Sequence, residues 1–240
     1  LPLASHTSNG SGMPAPESVS RLTKQFREHL DAYKSGKYNE TQLRREFLDP
    51  FFVELGWDVF NTQGYAGDYK DVVHEAAIKI GGTTKAPDYS FRIGGQRKFF
   101  VEAKKPSVDV KGDPHPAYQL RRYAWTAGLP VSILSDFEEF AVYDCRVKPT
   151  PRDKASTARI LYMTFEEYEE RWEEIEGIFS KTAILKGAFD KYASKQTRKR
   201  GTAEPDEEFL KLLEGWRADL AQNIARNNTL TVRQINHAVQ

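Results

Sequence analysis

Two short runs of alternating character, Asp88 to Ile93 and Lys98 to Ala103, flank Gly94, Gly95 and Gln96. Strand-like runs around a glycine turn are a hairpin signal. Because side chains alternate across a strand, Tyr89, Phe91, Ile93, Phe99, Val101 and Ala103 fall on one face. The other face receives Asp88, Ser90, Arg92, Phe100, Glu102 and Lys104. A three-residue loop over 94–96 pairs residues whose numbers sum to 190, which sets Asp88 opposite Glu102. A two-residue loop sets Asp88 opposite Val101, on the wrong face. This hairpin therefore fixes which polar groups share a surface.

The flanking segments extend the pattern. A helix is expected over 18–35, with Val19, Leu22, Phe26, Leu30 and Tyr33 on one face and Gly36 as its stop. A second runs from a capping box, Asn39 with Gln42, to about Leu55, bent by Pro50. Its stripe is Leu43, Phe47, Pro50 and Phe51, and Glu46 lies on it. Strands are expected at 57–60, 72–80, 131–134, 140–145 and 160–163, and a helix at 115–127. From Thr164, with Glu167 at its third position, the chain reads helical, including a stripe from Phe209 to Ile224. A helix capped by Thr231 has barely begun at Gln240, as in a fragment of a longer protein. The fold class is α/β, a mixed central sheet flanked by helices with a helical C-terminal extension. The division is a tail over 1–17, disordered or added to the natural chain, then a domain over 18–163 and a helical connector over 164–240.

Composition narrows the function classes. The apolar runs are far short of the ~20 residues that span a bilayer. A single cysteine, Cys145, excludes an internal disulfide and a Cys-rich zinc site, and suits the cytoplasm. His6, His29, His74, His115 and His237 lack metal-ligand spacing. Net charge is +1, so contact with a nucleic acid must come from a local patch. The acidic run 166–176 reads as a solvated helix face, and 195–200 as a basic cluster or linker.

Two carboxylates and a lysine on one strand face call for a cation, because like charges that close repel. Hard oxygen ligands suit Mg²⁺, which accepts phosphate oxygens in its open positions. A neighbouring lysine can then orient an attacking water or stabilise phosphoryl charge. An exposed strand face with an ordinary Glu102–Lys104 ion pair is the plainer reading.

Pro87-Asp88, followed fourteen residues later by Glu102-Ala103-Lys104, resembles the PD-(D/E)xK nuclease superfamily. Gln119 and Tyr123, four apart, resemble the QxxxY motif of RecB-like and type I restriction-subunit nucleases. Glu46 fits the acidic helix of that fold. The run from Glu40 to Arg146 looks like the N-terminal nuclease domain of bifunctional type IIG restriction–modification enzymes, where a helical connector, an adenine methyltransferase and a target-recognition region follow. No Asn/Asp-Pro-Pro-Tyr/Phe methyltransferase motif occurs here.

The resemblance implies that Asp88, Glu102 and the Ala103 carbonyl bind Mg²⁺, with Mn²⁺ as a substitute. It makes Lys104 and Glu46 catalytic, and Gln119 and Tyr123 site-facing. Arg121, Arg122 and Lys105 are candidate DNA-phosphate contacts, and Asp71 and Glu75 are weaker candidates near the metal. The implied activity is cleavage of double-stranded DNA as a type II site-specific deoxyribonuclease. Two rivals are an inactive nuclease-like DNA-binding or structural module and a RecB-like repair nuclease. A degenerate site usually loses one of Asp88, Glu102 and Lys104, and all three are present.

Overall fold

A computed structural model describes residues 14–80 and 82–199. The stripe 209–224, the Thr231 cap, most of the expected tail and much of the connector lie outside those residues. Among the described residues, no helix is long and apolar enough to cross a membrane.

The sheet is mixed and six-stranded. Strands β1 (Val72–His74), β4 (Tyr89–Ile93), β5 (Gln96–Ala103), β6 (Val131–Ser135), β7 (Glu139–Asp144) and β8 (Arg159–Thr164) lie in the order β1-β4-β5-β6-β7-β8. Strands β2 (Ile78–Ile80) and β3 (Thr83–Lys85) form a separate hairpin. Among the described strands, only β5 and β6 pair in parallel. Parallel neighbours need a crossover, here helix α5 (Pro114–Thr126), whose first turn is capped by the Asp113 side chain on the His115 N–H.

Both sheet faces are covered. Tyr89, Phe91, Phe99, Val101 and Ala103 join a core with helix α1 (Glu17–Glu28) and the helical run 40–54. On the other side Phe100, Leu134, Ala141 and Tyr143 pack under Ala117, Leu120 and Ala124 of α5. The polar hairpin face is therefore buried beneath a helix rather than open to solvent.

The hairpin reaches the expected register by a different route. Its turn has two residues, Gly94 and Gly95, with φ of 54° and 83°, a left-handed pair that glycine adopts without steric cost. That turn pairs Arg92 with Arg97, yet the next pair is Phe91 with Phe99. Lys98 is the extra residue of a β-bulge. Beyond it Tyr89 faces Val101, so Asp88 comes opposite Glu102 as expected.

Other departures are local. Helix 18–35 is two helices, α1 and α2 (Leu30–Lys34), parted at His29. Residues 57–60 form an irregular stretch that ends in a turn rather than a strand, with Trp57 buried and its indole N–H donated to the Phe179 carbonyl at 2.9 Å. The strand expected over 72–80 breaks at Glu75, whose φ is 50°. The second long helix begins at the expected capping box, then comprises α3 (Glu40–Leu43), a π-helical turn over Arg44–Leu48 and α4 (Asp49–Glu54). The wide turn ends just before Pro50, whose ring would clash with the carbonyl four residues back in a regular α-helix.

The compact unit runs to Ala193. Helices α6 (Trp172–Phe179) and α7 (Lys181–Leu185) and the start of α8 (Ala188–Lys199) send Trp172, Ile175, Phe179, Ile184 and Phe189 into the core that holds Phe91 and Phe99. The stretch from Thr164 to Ala193, assigned from sequence to a connector, is packed into the same unit as the sheet.

Candidate active site

The polar cluster sits where β4 begins and β5 ends, next to the first turn of α3 and the N-terminal half of α5. Asp88 precedes β4, and its Oδ2 accepts the Ala103 N–H at 2.8 Å. Glu102, only 2% exposed, is the penultimate residue of β5. Its Oε1 accepts Lys104 Nζ at 2.7 Å and the Gln119 side-chain amide. Its Oε2 is buried without a hydrogen-bond partner. Gln119 lies on α5, so the helix covering this sheet face also orients the Glu102 carboxylate.

Electrostatics follow from burial. Desolvation pushes Glu102 up to about 7, the Asp88 charge adds to this, and Lys104 opposes it. Asp88 is raised as well, first by burial, against the Ala103 N–H and the Arg44 and Lys104 charges. Burial pulls the Lys104 ammonium down, but Glu102, Glu40 and Asp88 outweigh it and hold the amine above its usual value. Two acids near their limit of charge, one with an orphaned oxygen, form a donor set that a hard divalent cation fits. Among the described residues, no group of three or more His, Cys, Asp or Glu is arranged to hold a metal.

The candidates divide. Asp88, Glu102, Lys104 and Gln119 come together, and Tyr123 is close enough that burial and then the Glu102 charge raise its phenol. Glu46 does not join them. It is exposed and accepts the Tyr38 hydroxyl at 3.0 Å, because the wide turn over 44–48 rotates it off the apolar stripe. Glu40 stands there instead, 3.8 Å from Lys104, with its carboxyl raised by burial and then by Asp88. The sequence signal for Glu40 is its place directly after the Asn39 cap, four residues and so one helical turn before Arg44.

Arg121 is no DNA contact: it is buried and binds Asp153 at 2.6 Å and the Val147 carbonyl. Arg122 and Lys105 are exposed. Asp71 is taken up by Lys181 at 2.6 Å and the Asp58 N–H. Glu75 does approach the cluster, 3.5 Å from Arg44.

Residues 68–150, which contain Asp88, Glu102, Lys104, Gln119 and Tyr123, match the family described as Type I restriction enzyme R protein N terminus. The chain is also 38% identical over 231 residues to an Escherichia coli protein described as the type II restriction enzyme and methyltransferase RM.Eco57I. That alignment covers 95% of this chain and 23% of that protein, so the chain spans under a quarter of its relative's length. No solved structure matches. The chain is thus similar along nearly all its length to part of a type II restriction enzyme and methyltransferase, and through the segment that carries the cluster to the N-terminal part of type I restriction R proteins.

Proposed function

We propose that the chain is a Mg²⁺-dependent endonuclease module that hydrolyses phosphodiester bonds of double-stranded DNA within a restriction–modification enzyme. The observation that carries this reading is the half-buried Asp88 paired with the buried Glu102, one of whose oxygens is unpartnered, beside the Lys104 amine. Asp88, Glu102 and the Ala103 carbonyl would hold Mg²⁺, or Mn²⁺ in its place. Bound there, the ion would polarise a phosphoryl oxygen and lower the pKa of a water.

The protein groups have separable tasks. The Ala103 N–H and Gln119 fix one oxygen each of Asp88 and Glu102. This leaves Glu102 Oε2 for the cation. The Lys104 ammonium, held charged by three carboxylates, can orient the attacking water or stabilise charge on the scissile phosphate. Arg122 and Lys105, both exposed, are the phosphate contacts that remain from the sequence candidates. Methylation and target recognition would belong to other regions of the longer enzyme.

The test is Lys104→Ala in the full-length enzyme, with cleavage measured in Mg²⁺ and DNA binding in Ca²⁺. Cleavage should fall by well over tenfold, a barrier change above about 1.4 kcal/mol. Affinity should hold, because it is spread over many phosphate contacts. Cleavage within tenfold of wild type removes Lys104 from the chemistry. Joint loss of binding and cutting makes it a backbone anchor.

A further inference from the structure

Arg44 belongs to no motif named above, yet its guanidinium donates to both the side chain and the main chain of Asp88. Its Nη1 lies 3.3 Å from Asp88 Oδ1, and its Nη2 lies 3.4 Å from the Asp88 main-chain carbonyl. The same Nη2 is 3.1 Å from His74 Nδ1, whose other ring nitrogen is 3.3 Å from the Val59 carbonyl. The guanidinium lies over the Tyr89 ring, 4.8 Å from its centroid, and the Tyr89 hydroxyl donates to Asp49 at 2.7 Å. Only 14% of the Arg44 side chain is exposed.

Glu75 completes the arrangement. Its left-handed backbone, unfavourable for a residue with a Cβ, brings its N–H to the Asp88 carbonyl at 3.1 Å and its carboxylate to 3.5 Å from Arg44 Nη1. The guanidinium thus stands between one carboxylate in the cluster and a second, 72% exposed, outside it. It enters from the wide helical turn, a distortion frequent at functional sites.

We infer that Arg44 is a positioning residue that serves as the internal counter-ion of Asp88, competing with a divalent cation and setting how tightly the site binds one. The inference rests on the metal-binding reading of Asp88 and Glu102. A cation arriving at Asp88 meets a positive charge already 3.3 Å from Oδ1. It must either repel the guanidinium toward Glu75 or bind against it. A charge at this range alters the carboxylate's affinity for a positive partner by about tenfold or more. The sign separates this role from a structural one: a lost brace loosens the site and weakens the ion, whereas a lost competitor strengthens it.

The probe is Mn²⁺, titrated calorimetrically into the 240-residue chain and its Arg44→Gln, Arg44→Lys and Asp88→Asn variants, each checked for a wild-type melting curve. Arg44→Met, whose stem keeps apolar cover on Tyr89, is a second neutral variant should Arg44→Gln fail to fold. Wild type should show an Asp88-dependent site, tightened about tenfold or more by the neutral variants and little changed in Arg44→Lys. Unchanged or weaker Mn²⁺ binding in both neutral variants, with the site still abolished by Asp88→Asn, overturns the role of Arg44 alone. Absence of Asp88-dependent binding in every variant overturns the metal reading and this inference together.

Discussion

A carboxylic acid held near neutrality makes the fold itself sensitive to pH. Glu102 rises from an ordinary 4.5 to about 7 in the folded chain, through burial and then the Asp88 charge. Its protonated form is favoured by folding, so the benefit is full below pH 4.5 and is lost as pH climbs through 7. At pH 8 without a divalent ion, the ionised group should cost on the order of 3 kcal/mol. Glu102→Gln, which keeps an acceptor for Lys104 and Gln119, should therefore raise the melting temperature of the metal-free chain at pH 8 and leave it nearly unchanged at pH 4. A smaller gain at pH 8 than at pH 4 would contradict this. At this scale Asp88, Glu102 and Lys104 were legible from motif spacing and strand alternation together, and Gln119 from motif spacing alone. Arg44 was not, because it enters from a helical turn that no residue pattern announces, and Glu40, directly after the Asn39 cap, was passed over for Glu46. Arg121 misled because an exposed and a buried arginine read alike until Asp153 is seen beside one of them.

At the level of elements, the hairpin shows how a right answer can come from a wrong intermediate. Counting turn residues suggested a three-residue loop, whereas the chain uses a two-residue glycine turn and recovers the lost step at Lys98. A bulge leaves no sequence mark as plain as a glycine pair, so only the net register could be inferred. Deleting Lys98 should leave Phe91 opposite Phe99 and Asp88 opposite Glu102 in a regular ladder. Circular dichroism should then show a folded chain, and Mn²⁺ titration should still find the Asp88-dependent site. The second helix teaches a related lesson: its Asn39–Gln42 cap was readable, while the π-turn before Pro50 was not. Replacing Asn39 by alanine should cost about 1 kcal/mol in thermal unfolding, since it frees the cap that starts the Glu40 and Arg44 turn.

Across the whole molecule, the α/β class and the mixed sheet were visible in the succession of runs and turns, and both sheet faces proved buried. The assignment of Thr164 onward to a connector missed the core contribution of residues up to Ala193. An amphipathic helix reads the same whether it caps a core or links two domains; only its partner distinguishes them. Trp172 and Phe179 are nearly inaccessible and lie in the core that backs β4 and β5. Trp172→Ala should cost about 3 to 5 kcal/mol, measured by denaturant titration, a large share of the 5 to 15 kcal/mol typical of a domain. A chain ended after residue 163 should not fold. The Trp57 indole bond to the Phe179 carbonyl, which spans 122 residues of sequence, has a consequence in time. Ribosomes release the chain from its N-terminus at about 5 to 20 residues per second. Glu40, Asp88, Glu102 and Lys104 therefore emerge seconds before the residues that seal the core around their scaffold. The acidic cluster is synthesised early and assembled late, so a nascent chain carries its parts before it has a site.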